Sequence, residues 1–191
     1  LTPLMNLVKS HICIECDVSN AANELNSIEN MFEKIQKEWN EIDFVVHALA
    51  YSDKEELKGK YVNCSRENFL NSLDISAFSF TRIAKSALPL MSSKGGSLLT
   101  LSYIGAERTT PNYNVMGVAK SALEASIKYL AMDLGKSGIR VNALSAGPVK
   151  TLAGAAISGA RHVFRYSESV APLKFNPQLK EIGCGALYLT S

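Results

Sequence analysis

Four short apolar runs, residues 11–16, 42–49, 97–102 and 139–144, alternate with four stretches of helical character, 24–39, 66–91, 112–134 and 178–190. No other feature limits the fold as much. Regular strand–helix alternation implies an α/β architecture in which a parallel sheet is built through right-handed crossovers. Ile42 to Leu49 is almost continuously apolar, as expected of a strand buried on both faces. Leu25, Ile28, Met31, Phe32 and Ile35 recur at one-sided helical spacing. Ser65 stands as an N-cap for 66–91, with Asn68 three residues on. Gly135 and Gly138 stop the 112–134 helix, and Gly147-Pro148 breaks the chain after the fourth strand. Residues 151–175 are rich in Ala and Gly and predict only short helices.

The 191 residues suit one domain with its own core. A formal charge of +2, without blocks of like charge, argues against a nucleic-acid arm or a membrane-binding face. No apolar run approaches the roughly 18 residues that span a bilayer, and no secretory pattern opens the chain. These features predict a cytoplasmic protein. Of the four cysteines, Cys13 and Cys16 form a C-x-x-C within His11–Cys16. Read as a strand, that run points the two sulfurs to opposite faces, so the expectation is buried, reduced thiols and no metal site.

In an open parallel sheet, ligands bind beyond the carboxyl ends of the strands. Four such ends offer Asp17-Val18, His47 to Ala50, Ser102-Tyr103 and Ser145 to Pro148. Asp17 could accept a hydrogen bond from an exocyclic amine; taken alone it reads more readily as a turn or helix-cap residue. His47, ending an apolar strand, reads more readily as a packed core residue than as a ligand or acid. Tyr113 and Lys120 are seven residues apart, which places them on one helix face roughly 10 Å apart along the axis. A tyrosine hydroxyl beside an ammonium can stabilise an oxygen that gains negative charge. Tyr103, at the preceding strand end, can face the same cleft. The other reading makes both tyrosines packing residues and Lys120 a solvated one.

The wording of Ser102-Tyr103-Ile104-Gly105-Ala106-Glu107-Arg108, then Pro111-Asn112-Tyr113-Asn114-Val115-Met116-Gly117-Val118-Ala119-Lys120, resembles bacterial NADH-dependent enoyl-acyl-carrier-protein reductases of the short-chain dehydrogenase/reductase superfamily. So does Arg140-Val141-Asn142-Ala143-Leu144-Ser145-Ala146-Gly147-Pro148-Val149-Lys150-Thr151. In the wider superfamily a Tyr lies four residues before the Lys, with a Ser thirteen before that Tyr. Here those positions hold Met116 and Tyr103, and the tyrosine stands at 113. This Tyr-x6-Lys spacing separates enoyl reductases from carbonyl-reducing relatives.

The resemblance implies a Rossmann-type, doubly wound parallel sheet with flanking helices. It implies that residues 1–191 form one incomplete dinucleotide-binding domain with a substrate lid at about 151–175. The family's glycine-rich phosphate turn and its last strand have no counterpart in the sequence, and the expectation is that both lie outside it. By motif, Tyr103, Tyr113 and Lys120 form the catalytic set. Tyr113 would hydrogen-bond the thioester oxygen, Lys120 the nicotinamide ribose, and Tyr103 would border the acyl pocket. Asp17 and Val18 would contact adenine, and Leu49 would lie along the cofactor with Ser52 near substrate. Val149, Lys150, Thr151, Leu152 and Ala153 would flank nicotinamide and pyrophosphate. The implied cofactor is NADH, the partner an acyl-carrier-protein-bound 2-enoyl thioester, and the assembly a homotetramer packed through 66–91 and 112–134. Ala50 departs from the family's usual Gly, and the segment after Asp17 is a few residues longer. Two other readings are a carbonyl-acting relative, against which Met116 argues, and an inactive scaffold of the same fold. Residues 161–166 (RHVFRY) could dock an acidic carrier or simply form a solvated helix edge.

Overall fold

Strands β1 (Phe44–His47), β2 (Gly96–Ser102) and β3 (Ile139–Ser145) form a parallel sheet in the order β1-β2-β3. The computed structural model describes residues 2–19, 21–91, 94–149 and 160–191. Phe44 pairs with Ser97 and Gly96 with Ile139, a register that ends β2 and β3 level at Ser102 and Ser145. The helices are α1 (Thr2–Leu7), α2 (Ile28–Glu38), α3 (Arg66–Leu73), α4 (Ser79–Ala87), α5 (Val115–Leu134), α6 (Ala160–Val170) and α7 (Leu179–Thr190).

Side chains alternate across β2, and each face has its own cover. Leu98 belongs to the core formed with Ile28 and Phe32 of α2, Phe80 and Ile83 of α4, and Leu123 and Ile127 of α5. On the opposite face the Ser97 hydroxyl donates to Leu189 O of α7 at 2.8 Å. Arg140, beside Ser97 in the register, reaches the same carbonyl at 2.8 Å and Ser191 O at 2.7 Å. Helices thus cover both faces, as doubly wound topology requires. Phe44 and Val46, on the α7 side of β1, remain 50% and 45% exposed, so the described helices leave that part of the sheet bare.

Caps explain the helix starts. Ser27 accepts from Asn30 N at 3.2 Å and Ser65 from Asn68 N at 3.1 Å, each contributing about 1 kcal/mol. Gln178 and Glu181 form a reciprocal capping box at α7. The stretch expected as one helix over 66–91 is α3 and α4 joined by a wide π turn, Asp74–Phe78, and ended by the turn Leu88–Leu90.

Three expectations are corrected. Residues 11–16 are not a strand: among the described residues the sheet has three strands, and a run without a ladder partner cannot satisfy its backbone groups as a strand. Helix α5 begins at Val115, not 112, because Asn112 and Asn114 take positive φ of 59° and 40°, which breaks the helix there. The thiols are free, but they are not all buried: Cys13 and Cys184 are exposed, and Cys16 and Cys64 half-buried. Helix α1 lies where the sequence reading expected no element. No described helix is long and apolar enough to cross a membrane.

Two glycines close the β2–β3 corner. Gly95 has φ +78°, and a Cβ there would lie 2.2 Å from Gly138 O. Gly95→Ala therefore combines left-handed strain with a clash against backbone. It is expected to cost about 3 kcal/mol and lower Tm by roughly 10 °C. Gly59 has the same φ sign, +76°, but open space around it. Gly59→Ala should cost only about 1 kcal/mol in the same calorimetric comparison.

Candidate active site

The carboxyl ends of β2 and β3 open into a cavity of about 250 Å³. Leu101 to Tyr103, Thr110, Pro111 and Tyr113 line one side, Ala146 to Val149 another, and Val163 and Phe164 of α6 with Leu179 and Ile182 of α7 the rest. The lining is mostly apolar with a few polar groups, as suits an elongated aliphatic ligand with one polar end.

Tyr113 is the best-fixed polar group in it. Its ring is buried and packs edge-on against Tyr103, centroids 5.1 Å apart at 65°. Behind it lie Leu57, Val115 and Met116. A Cβ on Gly105 would come within 2.4 Å of the Tyr113 ring, so the ring occupies the space a side chain at 105 would need. The next residue, Asn114, donates its amide to Leu57 O at 3.1 Å and Gly59 O at 3.3 Å, clasping the 53–59 loop to the start of α5. Burial, with Tyr103 adding to it, holds the Tyr113 hydroxyl well above the usual tyrosine range. Tyr113 therefore keeps its proton at neutral pH and is a hydrogen-bond donor rather than a base. Its hydroxyl has no protein hydrogen-bond partner among the described residues. Burial also raises Tyr103.

Lys120 lies on the second turn of α5, buried, with Nζ donating to Leu101 O at 2.7 Å. Desolvation lowers it to about 8, while the nearby Glu124 charge acts the other way. An ammonium has three donors. One goes to Leu101 O, which leaves two for a ligand at the end of β2, and a vicinal diol such as a ribose supplies two acceptors. The residues present thus fit a nicotinamide ribose.

His47 is a core residue. Its Nδ1 lies 2.8 Å from Thr100 Oγ1 and its Nε2 2.8 Å from Ser79 Oγ. Ser79 also donates to Ile75 O and Thr100 to His47 O, so each ring nitrogen meets a hydroxyl that can pair with a neutral imidazole. Burial first, and the Lys120 charge second, lower His47 to about 4.

The structure brings Tyr103, Tyr113 and Val149 to the cavity, and Lys120 to the carbonyl of a residue that lines it. It places the remaining candidates elsewhere. Asp17 Oδ1 accepts from Ser19 N at 2.9 Å, a turn role. Val18 packs in the main core. Leu49 is 41% exposed beyond β1. Ser52 donates to Asn68 Oδ1 at 3.2 Å. Lys150, Thr151, Leu152 and Ala153, and the lid as far as 159, lie outside the described residues. Helix α6 turns Val163 and Phe164 to the cavity while His162, Arg165 and Tyr166 are exposed. Among the described residues no cluster of His, Cys, Asp and Glu could hold a metal.

Sequence reasoning missed the Leu179 and Ile182 wall, the packing at Gly105, the Asn114 clasp and a hydrogen bond from Ser102 to Glu124.

Known proteins resemble this chain along nearly its whole length. The family described as enoyl-(acyl carrier protein) reductase matches residues 1–191. Enoyl-(acyl-carrier-protein) reductase (NADH) 1 of Rhizobium meliloti is 50% identical over 189 residues, 99% of this chain and 68% of that protein. The FabI enzyme of Rickettsia typhi is 50% identical over 99% of this chain and 70% of its own length. The crystal structure of FabI from Candidatus Liberibacter asiaticus superposes with a TM-score of 0.94 at 49% identity, covering all of this chain and 72% of that one. The Anaplasma phagocytophilum reductase, solved in complex with NAD, gives 0.91 at 52% identity, covering all of this chain and 68% of that one.

Proposed function

Because the chain belongs to the enoyl-(acyl carrier protein) reductase family, we propose that it reduces the 2,3 double bond of 2-enoyl thioesters in fatty-acid synthesis, with NADH as reductant. The observation that carries this reading is the proton-bearing Tyr113, its buried ring packed against Tyr103 in the wall of an apolar cavity.

When bound, the nicotinamide supplies hydride to C3 of the enoyl thioester. Tyr113 donates a hydrogen bond to the thioester oxygen, where negative charge gathers as the double bond is reduced. Its retained proton makes it a donor throughout, and its burial strengthens that bond relative to water. A proton from solvent then reaches C2, which completes the saturated thioester. Lys120 turns its two spare donors to the ribose hydroxyls. Tyr103 holds the Tyr113 ring by edge contact and borders the acyl chain. Val163, Phe164, Leu179 and Ile182 exclude water from that chain. Val149 to Ala153 flank the cofactor, with Asp17 and Val18 at the adenine, Leu49 along its length and Ser52 toward the substrate. The substrate is delivered as its acyl-carrier-protein thioester. The exposed face of α6 would meet that carrier, and four copies would assemble through α3 to α5.

A carbonyl-acting reductase of the same fold is the competing reading. It is tested by offering the full-length protein NADH with either a 2-enoyl or a 3-ketoacyl thioester of equal chain length. Enoyl turnover should exceed ketoacyl turnover by at least ~10²-fold, since Met116 stands where carbonyl-reducing relatives carry their tyrosine. Equal or greater ketoacyl turnover would overturn the assignment.

A further inference from the structure

Lys120 is buried where a charge is costly, yet its proposed task needs the ammonium. The groups around it show what offsets that cost. Leu101 O accepts from Nζ at 2.7 Å. The next residue of β2, Ser102, is buried and donates its hydroxyl to Glu124 Oε1. Glu124 lies one helical turn beyond Lys120 on α5, so both side chains leave the same face. The carboxylate is therefore not a free surface group: β2 itself fixes where its charge sits. Other titratable groups on the elements packed here include His47 on β1, Asp74 on the π turn, Arg66 and Glu67 on α3, Arg82 and Lys85 on α4, Lys128 on α5, Arg140 on β3, and Tyr103 and Tyr113 at the cavity. His47 is neutral, the tyrosines keep their protons, and Glu124 supplies the favourable charge acting on Lys120.

We propose that Glu124 is a positioning residue, anchored by the Ser102 hydroxyl at the carboxyl end of β2, whose negative charge keeps Lys120 as an ammonium held against Leu101 O and able to grip the cofactor. This rests on the reading of Lys120 as the ribose-binding group.

The test is Glu124→Gln in the full-length protein, which keeps an acceptor for Ser102 and removes the charge. The Lys120 side chain is titrated directly by NMR of ε-carbon-labelled lysine, its signal assigned by loss in Lys120→Met. NADH affinity is measured by fluorescence across the same pH range. A base whose charged form is favoured by a neighbour loses its proton at lower pH once that neighbour is neutral. Lys120 should therefore titrate about one pH unit lower in Glu124→Gln, and NADH affinity should begin to fall at correspondingly lower pH. Ser102→Ala, which frees the carboxylate, should shift Lys120 in the same direction by less. A merely structural role for Glu124 would lower the melting temperature without moving either titration. An unchanged Lys120 titration in Glu124→Gln overturns the proposal. If Lys120 titrates lower but Lys120→Met binds NADH as wild type does at every pH, the ribose-binding reading of Lys120 fails, and the positioning role with it.

Discussion

Tyr113→Phe is expected to lower kcat/KM for a 2-enoyl thioester by roughly 10²- to 10³-fold, equivalent to about 3–4 kcal/mol of transition-state stabilisation. The substitution deletes one oxygen. The ring that packs against Tyr103, Leu57 and Met116 stays, and the lost hydroxyl leaves no described protein group without its partner. Tm should therefore stay within about 2 °C of wild type. The loss should fall mainly on kcat, because the bond strengthens as charge gathers on the thioester oxygen. Steady-state kinetics beside a thermal melt separate the two effects. A variant within threefold of wild type would mean that another donor meets that oxygen, and Tyr103 would be the next candidate.

Gly105→Ala should be comparably damaging by a different route. The new methyl would lie 2.4 Å from Cδ1 and 2.7 Å from Cε1 of Tyr113. The ring is backed by buried Leu57, Val115 and Met116 and cannot yield without moving α5 or the 53–59 loop. Displacing a catalytic donor by about 1 Å costs on the order of 10²-fold in rate. Overpacking adds about 1–3 kcal/mol of destabilisation. Gly135→Ala is the control, since that residue is helical, with φ −58°, and has nothing within 4 Å of an added methyl. It should keep full activity. Wild-type kinetics in Gly105→Ala would show that the ring has more freedom than its packing implies.

Much of the fold was legible because its signals are local. Ser65 caps α3 as read, Gly138 ends the turn after α5 in the left-handed region, and three of four apolar runs are strands in one parallel sheet. The failures came where distant residues decide. His11 to Cys16 has a strand's composition, but a ladder needs a neighbour, and periodicity cannot report one. Asn112 and Asn114 sit in an otherwise helical pattern, yet their positive φ delays α5 and leaves Tyr113 in the preceding turn. Tyr113 and Lys120 still stand at one strand end, though not as two residues on one helix face.

The site divides in the same way. The nearness of Tyr103, Tyr113 and Lys120 to one cavity was legible because a strand end and a seven-residue spacing are written in the sequence. Leu179 and Ile182 were not, because α7 reaches the cavity only after the chain has passed through α6. Ser102 and Glu124 are separated by 22 positions and meet only when α5 packs on β2. Their hydroxyl and carboxylate are ordinary residues until that packing gives them Lys120 as a neighbour.

The central claim is that the cavity between β2, β3, α6 and α7 carries out conjugate reduction of an enoyl thioester. Mass analysis of the acyl product formed from a 2-enoyl thioester and NADH tests it most directly, with nicotinamide absorbance followed in the same reaction. The account predicts a saturated thioester two hydrogens heavier than the substrate, formed one for one with the NADH consumed. Recovery of unchanged enoyl thioester from full-length protein that is folded and binds NADH would contradict it.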